Sequence, residues 1–239
     1  MSNYQKIIIS NEKILENKKE IFKNSFYKHN DNNGKEDKII IVTDFDFTLF
    51  NKYNYSTGKK YESSFGMYDQ DVFGGNQKDF QDKRKMLHSE YLKYEQDYTI
   101  DEKIRKEKIK EWNTRALGYM AHPNFTKDSI KQMVNNKKEG INFKKNVGKF
   151  YEKLIELNIP IIIVSSGIKE IILEILKLLN IKGLEDYIVK KRIHFIGNEF
   201  IFDENNKCID FNKNVIYGFN KSEYVKNLIS ENYPNIENV

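Results

Sequence analysis

The chain of 239 residues has one cysteine, three prolines and one tryptophan. A single thiol, Cys208, excludes an internal disulfide and a cysteine-based zinc cluster. No apolar run approaches the ~20 residues of a membrane-spanning helix. Ile7 to Ile9 is too short for the apolar region of a secretory signal. From these absences we expect a soluble, cytoplasmic protein with no membrane partner. No charge sign dominates either. Forty basic and thirty-five acidic residues give a net charge of +5. The excess is spread along the chain, which reads as a lysine-rich solvated surface and not as a nucleic-acid footprint. No nucleic-acid partner is expected. There is no internal repeat.

Against that background one stretch stands out: KIIIVTDFDFTLF, residues 38 to 50. Ile39 to Val42 is a β-branched apolar run of the kind found in buried strands of parallel sheets. It ends in Asp44, Asp46 and Thr48, polar residues at every second position. If the extended geometry continues, the two carboxylates point the same way beyond the strand end. So placed they repel each other unless a cation or proton lies between them. The carboxyl ends of strands are also where open α/β sheets bind ligands.

Residues 10 to 28 carry helical spacing, with Ser10 or Asn11 as a start signal, and 29 to 37 form a polar loop. After Phe50, residues 52 to 77 read as an irregular excursion. Residues 78 to about 118 are helical and charged, with apolar faces around Leu87 and Tyr91 and around Ile109 and Leu117. A further helix starts at Thr126. Then come a helix over 143 to 157, an apolar strand Ile161 to Val164 and a helix over 168 to 179. A short strand at Ile193 to Ile196, a hairpin around 199 to 211, an extended Val215 to Phe219 and a last helix from Asn220 through Ile229 complete the order. Strands alternating with helices imply a parallel sheet. We expect an α/β core from 1–50 and 146–239, with a helical cap, 51–145, inserted after the first core strand.

The D-F-D-F-T pattern resembles the first motif of a superfamily of phosphohydrolases, and the phosphate-ester hydrolysis that this resemblance implies needs a nucleophile, positive charge for the phosphoryl oxygens and a proton for the leaving alkoxide. Each has a candidate. Asp44 can attack in line, Asp46 can act as acid and then base, and Thr48 can brace the loop and contact phosphate. Ser165 and Ser166, before a predicted helix, suggest a phosphate cradle, although Ser-Ser-Gly there is equally an ordinary helix cap. Lys221 opens the last helix, where a cation is disfavoured unless an anion offsets it.

The D-F-D-F-T-L pattern resembles the first motif of the haloacid-dehalogenase (HAD) superfamily of phosphohydrolases. With YEQDYTIDEK, EWNTRALG, IVSSGIKEIILEIL and GFNKSEYV in one order, the chain is similar to the cytosolic pyrimidine 5′-nucleotidase family (type III, UMPH-1-like) from about Lys38 to Leu228. The resemblance implies a HAD-like Rossmannoid α/β fold with an inserted helical cap. It implies a Mg²⁺-dependent phosphoric monoester hydrolase acting on pyrimidine or 7-methylguanosine 5′-monophosphates through an aspartyl-phosphate. It places the nucleophile at Asp44, the acid/base at Asp46, the metal ligands at the Asp44 carboxylate and the Asp46 main-chain carbonyl, and phosphate contacts at Ser165, Ser166 and Lys221. Glu95 matches the cap glutamate that contacts the base; such a carboxylate suits an exocyclic amine. Trp112 is suited to base stacking, and Ala116 stands where the family has a pocket serine.

The family continues past this point into another apolar strand closing with G-D-x-x-x-D, whose carboxylates complete the metal site. The chain ends at Asn235-Ile-Glu-Asn-Val239 without it. We therefore expect a truncated form whose sheet is incomplete at the C-terminus, with its first strand left as an edge and its activity reduced. A complete chain is expected to be monomeric. The alternatives are another HAD small-molecule phosphatase or a non-catalytic remnant that binds a partner.

Overall fold

β2, Ile161–Ile168, is the middle strand of a three-stranded parallel sheet of order β1-β2-β3, flanked by β1, Ile41–Asp44, and β3, Ile193–Asn198. Its Ile161, Ile162, Ile163 and Val164 are all buried. That is why the run is apolar without alternation: both faces are covered. Asp44 pairs with Val164, and Val164 with Ile196; β1 stops at that level, while β2 and β3 run on to Ile168 and Asn198. The structure, a computed structural model, describes residues 39–54 and 56–234; the helix expected over 10 to 28 lies outside them.

The segment between β1 and β2 holds four helices. α1 is Gln77–Gln96, α2 Glu102–Met120, α3 Lys127–Lys137 and α4 Val147–Glu156. The chain leaves β1 and returns to α4 through neighbouring backbone. Phe50 bridges Phe143, Asn51 N–H donates to Asn142 O (2.8 Å) and Lys144 N–H to Leu49 O (2.9 Å). α1 and α2 meet through Tyr91, whose ring stacks on Trp112 at 6.1 Å and 13°. Leu87 and Ala116 are buried beside them. After β2 come α5, Lys169–Lys177, and α6, Leu184–Val189. Beyond β3 lie the antiparallel pair β4, Phe200–Phe202, and β5, Cys208–Phe211, and then α7, Lys221–Asn232. Ile162, Val164, Ile196, Ile216, Val225 and Ile229 form a core between the sheet and α7. Among the described residues no helix is long and apolar enough to cross a membrane.

Several details depart from expectation. β1 starts at Ile41, and its Val42 is 44% exposed because β1 lies at the edge of the described sheet. The single helical stretch over 78 to 118 is two helices. Asp97 turns the chain by accepting Thr99 N–H (2.9 Å), and Asp101 caps α2 through Lys103 and Ile104 N–H. α4 begins at Val147 and not Phe143, because 142 to 144 are spent pairing with 49 to 51. β2 runs on through Ser165-Ser166-Gly167 with a register irregularity, so Ile168, not a serine, precedes α5. Val215 to Phe219 is no strand; side chains of Asn198 and Asn220 hold its backbone.

Candidate active site

Asp44 is the last residue of β1, and Lys221 is the first of α7. Lys221 Nζ donates to Asp44 Oδ1 at 3.0 Å. The pair offsets the unfavourable placement of a cation at a helix N-terminus. With the Asp44 side chain 42% exposed, solvent limits its contribution to stability to below about 1 kcal/mol. Its meaning is therefore positional.

The chain turns sharply after Asp44. Thr48 and Leu49 N–H both bond Phe45 O, and Phe47 takes a left-handed conformation at φ 59°. For a bulky residue this costs on the order of 1 kcal/mol. Burial of Phe45 and its edge contact with Phe50 (5.6 Å) hold the turn in place. Asp44 and Asp46 are thus joined by a turn and not by continued extended backbone. Asp46 is gripped by Ser64: Ser64 N–H reaches Oδ1 and Ser64 Oγ–H reaches Oδ2, each at 2.6 Å. Burial pushes the Asp46 carboxyl above the usual carboxylate range. The Asp44 charge adds to this, while the Ser64 bonds and Lys221 oppose it.

Ser165 is 2% exposed, and its Oγ accepts the Gly167 N–H at 2.9 Å. Gly167 is the crossing point of the cluster. A Cβ there would stand 2.2 Å from Ser64 Oγ, 3.1 Å from Ser165 Oγ and 3.2 Å from Asp46 Oδ2. A glycine is required by space, not by φ. A cavity of about 570 Å³ adjoins the cluster, lined by Ser166, Gly218 and Phe219 on the strand side and by α1 and α2 on the other. Glu95, Trp112 and Ala116 all line it, as do Phe65, Arg84, His88 and Arg105. Arg105 is buried and spends Nε and Nη2 on the carbonyls of Tyr94 and Glu95, which fixes the end of α1 that carries Glu95.

Asp44, Asp46, Ser165 and Lys221 therefore meet at the strand ends, and Ser166, Glu95, Trp112 and Ala116 face the adjoining cavity. Thr48 is set apart. Its N–H closes the turn onto Phe45, and the residue is exposed. The Gly167 N–H beside this suggested cradle is taken by Ser165 Oγ. Ser64 was not legible in sequence: it lies in the irregular 52 to 77 excursion, where no motif marks it. Nothing in the sequence separates Arg84 and Arg105 from the other cations of their helices.

A parallel sheet with paired aspartates at the end of its edge strand, faced by a lysine from a helix start, has the HAD-like α/β fold. A crystal structure of cytosolic 5′-nucleotidase IIIB bound to cytidine shares it, with a TM-score of 0.59 over 77% of this chain and 56% of that one, at 21% identity. The chain belongs to the pyrimidine 5′-nucleotidase (UMPH-1) family, whose model matches residues 47–238. Asp44 and Asp46 lie just ahead of the matched segment. A Caenorhabditis elegans protein named putative cytosolic 5′-nucleotidase 3 is 26% identical over 201 residues, 80% of this chain and 48% of its own. The human 7-methylguanosine phosphate-specific 5′-nucleotidase is 25% identical over 190 residues, 79% of this chain and 59% of its own. The chain thus spans about half to three-fifths of the length of these relatives.

Proposed function

We propose that the chain carries the nucleophile and substrate lid of a nucleoside 5′-monophosphate phosphohydrolase, its described residues divided into a core over 39–50 and 146–234 and a cap inserted between them. The adjacent crossings at Phe50–Phe143 support that division. The observation that carries the reading is the meeting of Asp44, Asp46, Ser165 and Lys221 beside a cavity of about 570 Å³.

Asp44 attacks phosphorus; a P–O(Asp) bond forms as the ester P–O bond breaks. Asp46 gives its proton to the departing 5′-alkoxide, which suits a carboxyl held above its usual range by burial. Asp46 then takes a proton from water, which hydrolyses the aspartyl-phosphate to orthophosphate and restores Asp44. Lys221, Ser165 Oγ and the Ser166 N–H stabilise the phosphoryl oxygens. At the far end Glu95 accepts from an exocyclic amine, and Trp112, already stacked on Tyr91, presents an aromatic face to the base.

The donors fit Mg²⁺. Lys221 takes Oδ1 of Asp44, leaving Oδ2, and the Asp46 main-chain carbonyl is close in sequence. Among the described residues no group of three acidic, histidine or cysteine side chains gathers around them. Mg²⁺ accepts one or two carboxylates with waters and phosphate oxygens, so this set suffices for weak binding. When bound, it supplies charge neutralisation at the phosphoryl group. The human relative is named for 7-methylguanosine phosphate and the solved neighbour holds cytidine; both bases carry an exocyclic amine. The reading is tested by orthophosphate release with Mg²⁺ from CMP, UMP, 7-methyl-GMP and phosphoserine. Release from the amino-bearing nucleotides ahead of phosphoserine supports it; equal or no release from all four removes it.

A further inference from the structure

Asn198 is the last residue of β3, 2% exposed, and its side-chain amide uses both of its donor hydrogens and its oxygen. Nδ2 donates to Ser166 O at 2.7 Å and to Ile216 O at 3.0 Å, and Oδ1 accepts the Ile216 N–H at 2.8 Å. The orientation is forced, since the flipped amide would set its oxygen against two carbonyls. One side chain therefore ties the Ser165–Ser166 stretch of β2 to the segment that delivers Lys221. That segment, 215 to 220, makes no ladder bonds of its own. From its far end Asn220 Oδ1 accepts Tyr217 N–H, and Asn220 Nδ2 donates to Val215 O, both at 2.9 Å.

We propose that Asn198 is a positioning residue. It sets the separation between the serines of β2 and the Lys221 ammonium, and so fixes the width of the phosphoryl site. The inference rests on the phosphohydrolase reading. No close substitute does the same work. Aspartate keeps the shape but turns two donors into acceptors facing two carbonyls. Alanine leaves Ser166 O, Ile216 O and Ile216 N–H without their buried partner. Leucine fills the space and makes none of the three bonds.

The test is a double-mutant cycle on kcat/KM for CMP with Mg²⁺, using Asn198→Asp and Lys221→Met singly and together, with thermal unfolding of each variant alongside. Asn198→Asp is expected to lower kcat/KM on the order of 100-fold, as displacement of a catalytic group by about 1 Å does. The loss should fall chiefly in kcat, in protein that is folded at the assay temperature. In the Lys221→Met background the same change should cost well under 10-fold, because the group it positions is gone. Equal losses in both backgrounds, tracking the fall in melting temperature, would show a purely structural asparagine and overturn the proposal. If Asn198→Asp does not fold, Asn220→Ser, which loosens the same segment from its other end, is put through the same cycle with the same two outcomes. A wild-type chain inactive on every nucleotide overturns the phosphohydrolase reading and this inference together; an active wild type with multiplicative losses overturns only this one.

Discussion

Gly167→Ala adds one methyl group at the point where the strand ends converge. The new carbon would lie 2.2 Å from Ser64 Oγ, far inside van der Waals contact, and 3.1 and 3.2 Å from Ser165 Oγ and Asp46 Oδ2. Gly167 has no positive φ, so the unfolded-state gain of about 0.4–1 kcal/mol from Gly→Ala would otherwise make the change stabilising. Overpacking costs about 1–3 kcal/mol. Rotating Ser64 away gives up a bond to a carboxylate worth about 1.5–3 kcal/mol. The net expectation is destabilisation of about 2 kcal/mol, read by urea unfolding, with loss of nucleotide hydrolysis on the order of 100-fold as Asp46 is displaced. Ser64→Ala removes the obstructing oxygen. In that background Gly167→Ala should cost less than about 1 kcal/mol, a coupling of at least ~1 kcal/mol between the two sites. Strict additivity, or a Gly167→Ala protein as stable and active as its parent, would refute the convergence of Ser64, Gly167 and Asp46.

Glu170 gives a pH prediction. Its Oε2 is buried without a hydrogen-bond partner among the described residues, and burial, with the nearby Glu199 charge, pushes its carboxyl from 4.5 to about 7. The folded chain therefore holds a proton that the unfolded chain releases earlier, so stability falls as pH rises from 4.5 to 7, by about 3 kcal/mol in total. Glu170→Gln should flatten that slope in unfolding curves taken at pH 5 and pH 8; an unchanged slope would assign the pH dependence to other groups. Glu95→Gln, which turns one acceptor oxygen into a donor, should raise KM for CMP about 10-fold while changing KM for UMP much less. An equal rise for both would mean that Glu95 does not read the amine. Ser64→Ala should lower kcat by at least about 10-fold with little change in KM, because Asp46 loses one of its two holding bonds; a change confined to KM would assign Ser64 to binding instead.

The parts of the fold legible in sequence were those that burial makes visible. Ile161 to Val164 is apolar because β2 is covered on both faces, and the parallel direction of β1 and β2 follows from strand-helix alternation, whereas their register is seen only in the structure. Lys221 was marked by the anomaly of a cation opening a helix, and the structure shows the anion that removes it. What escaped depends on single polar side chains acting across long sequence distances. Ser64 reaches Asp46 through its backbone as much as through its hydroxyl, and a backbone N–H has no sequence signature. Asn198 and Asn220 are two asparagines in an asparagine-rich chain, yet their side chains hold the backbone of Val215 to Tyr217, a stretch expected only to be extended. The break between α1 and α2 was missed for a similar reason: Asp97 and Asp101 resemble ordinary helix charges until their turn and cap bonds are seen. Thr48 shows the converse. It fits the motif by spacing, but the left-handed turn at Phe47 leaves it exposed.

The central claim is that Asp44 carries the phosphoryl group between nucleotide and water. Acid quench of a single turnover with CMP, followed by hydroxylamine treatment and peptide mass spectrometry, tests it directly. A hydroxamate confined to Asp44, absent from Asp44→Asn protein that also releases no orthophosphate, is the predicted result. Orthophosphate release that survives in Asp44→Asn, with no adduct on the 38 to 50 peptide of the parent chain, would contradict it.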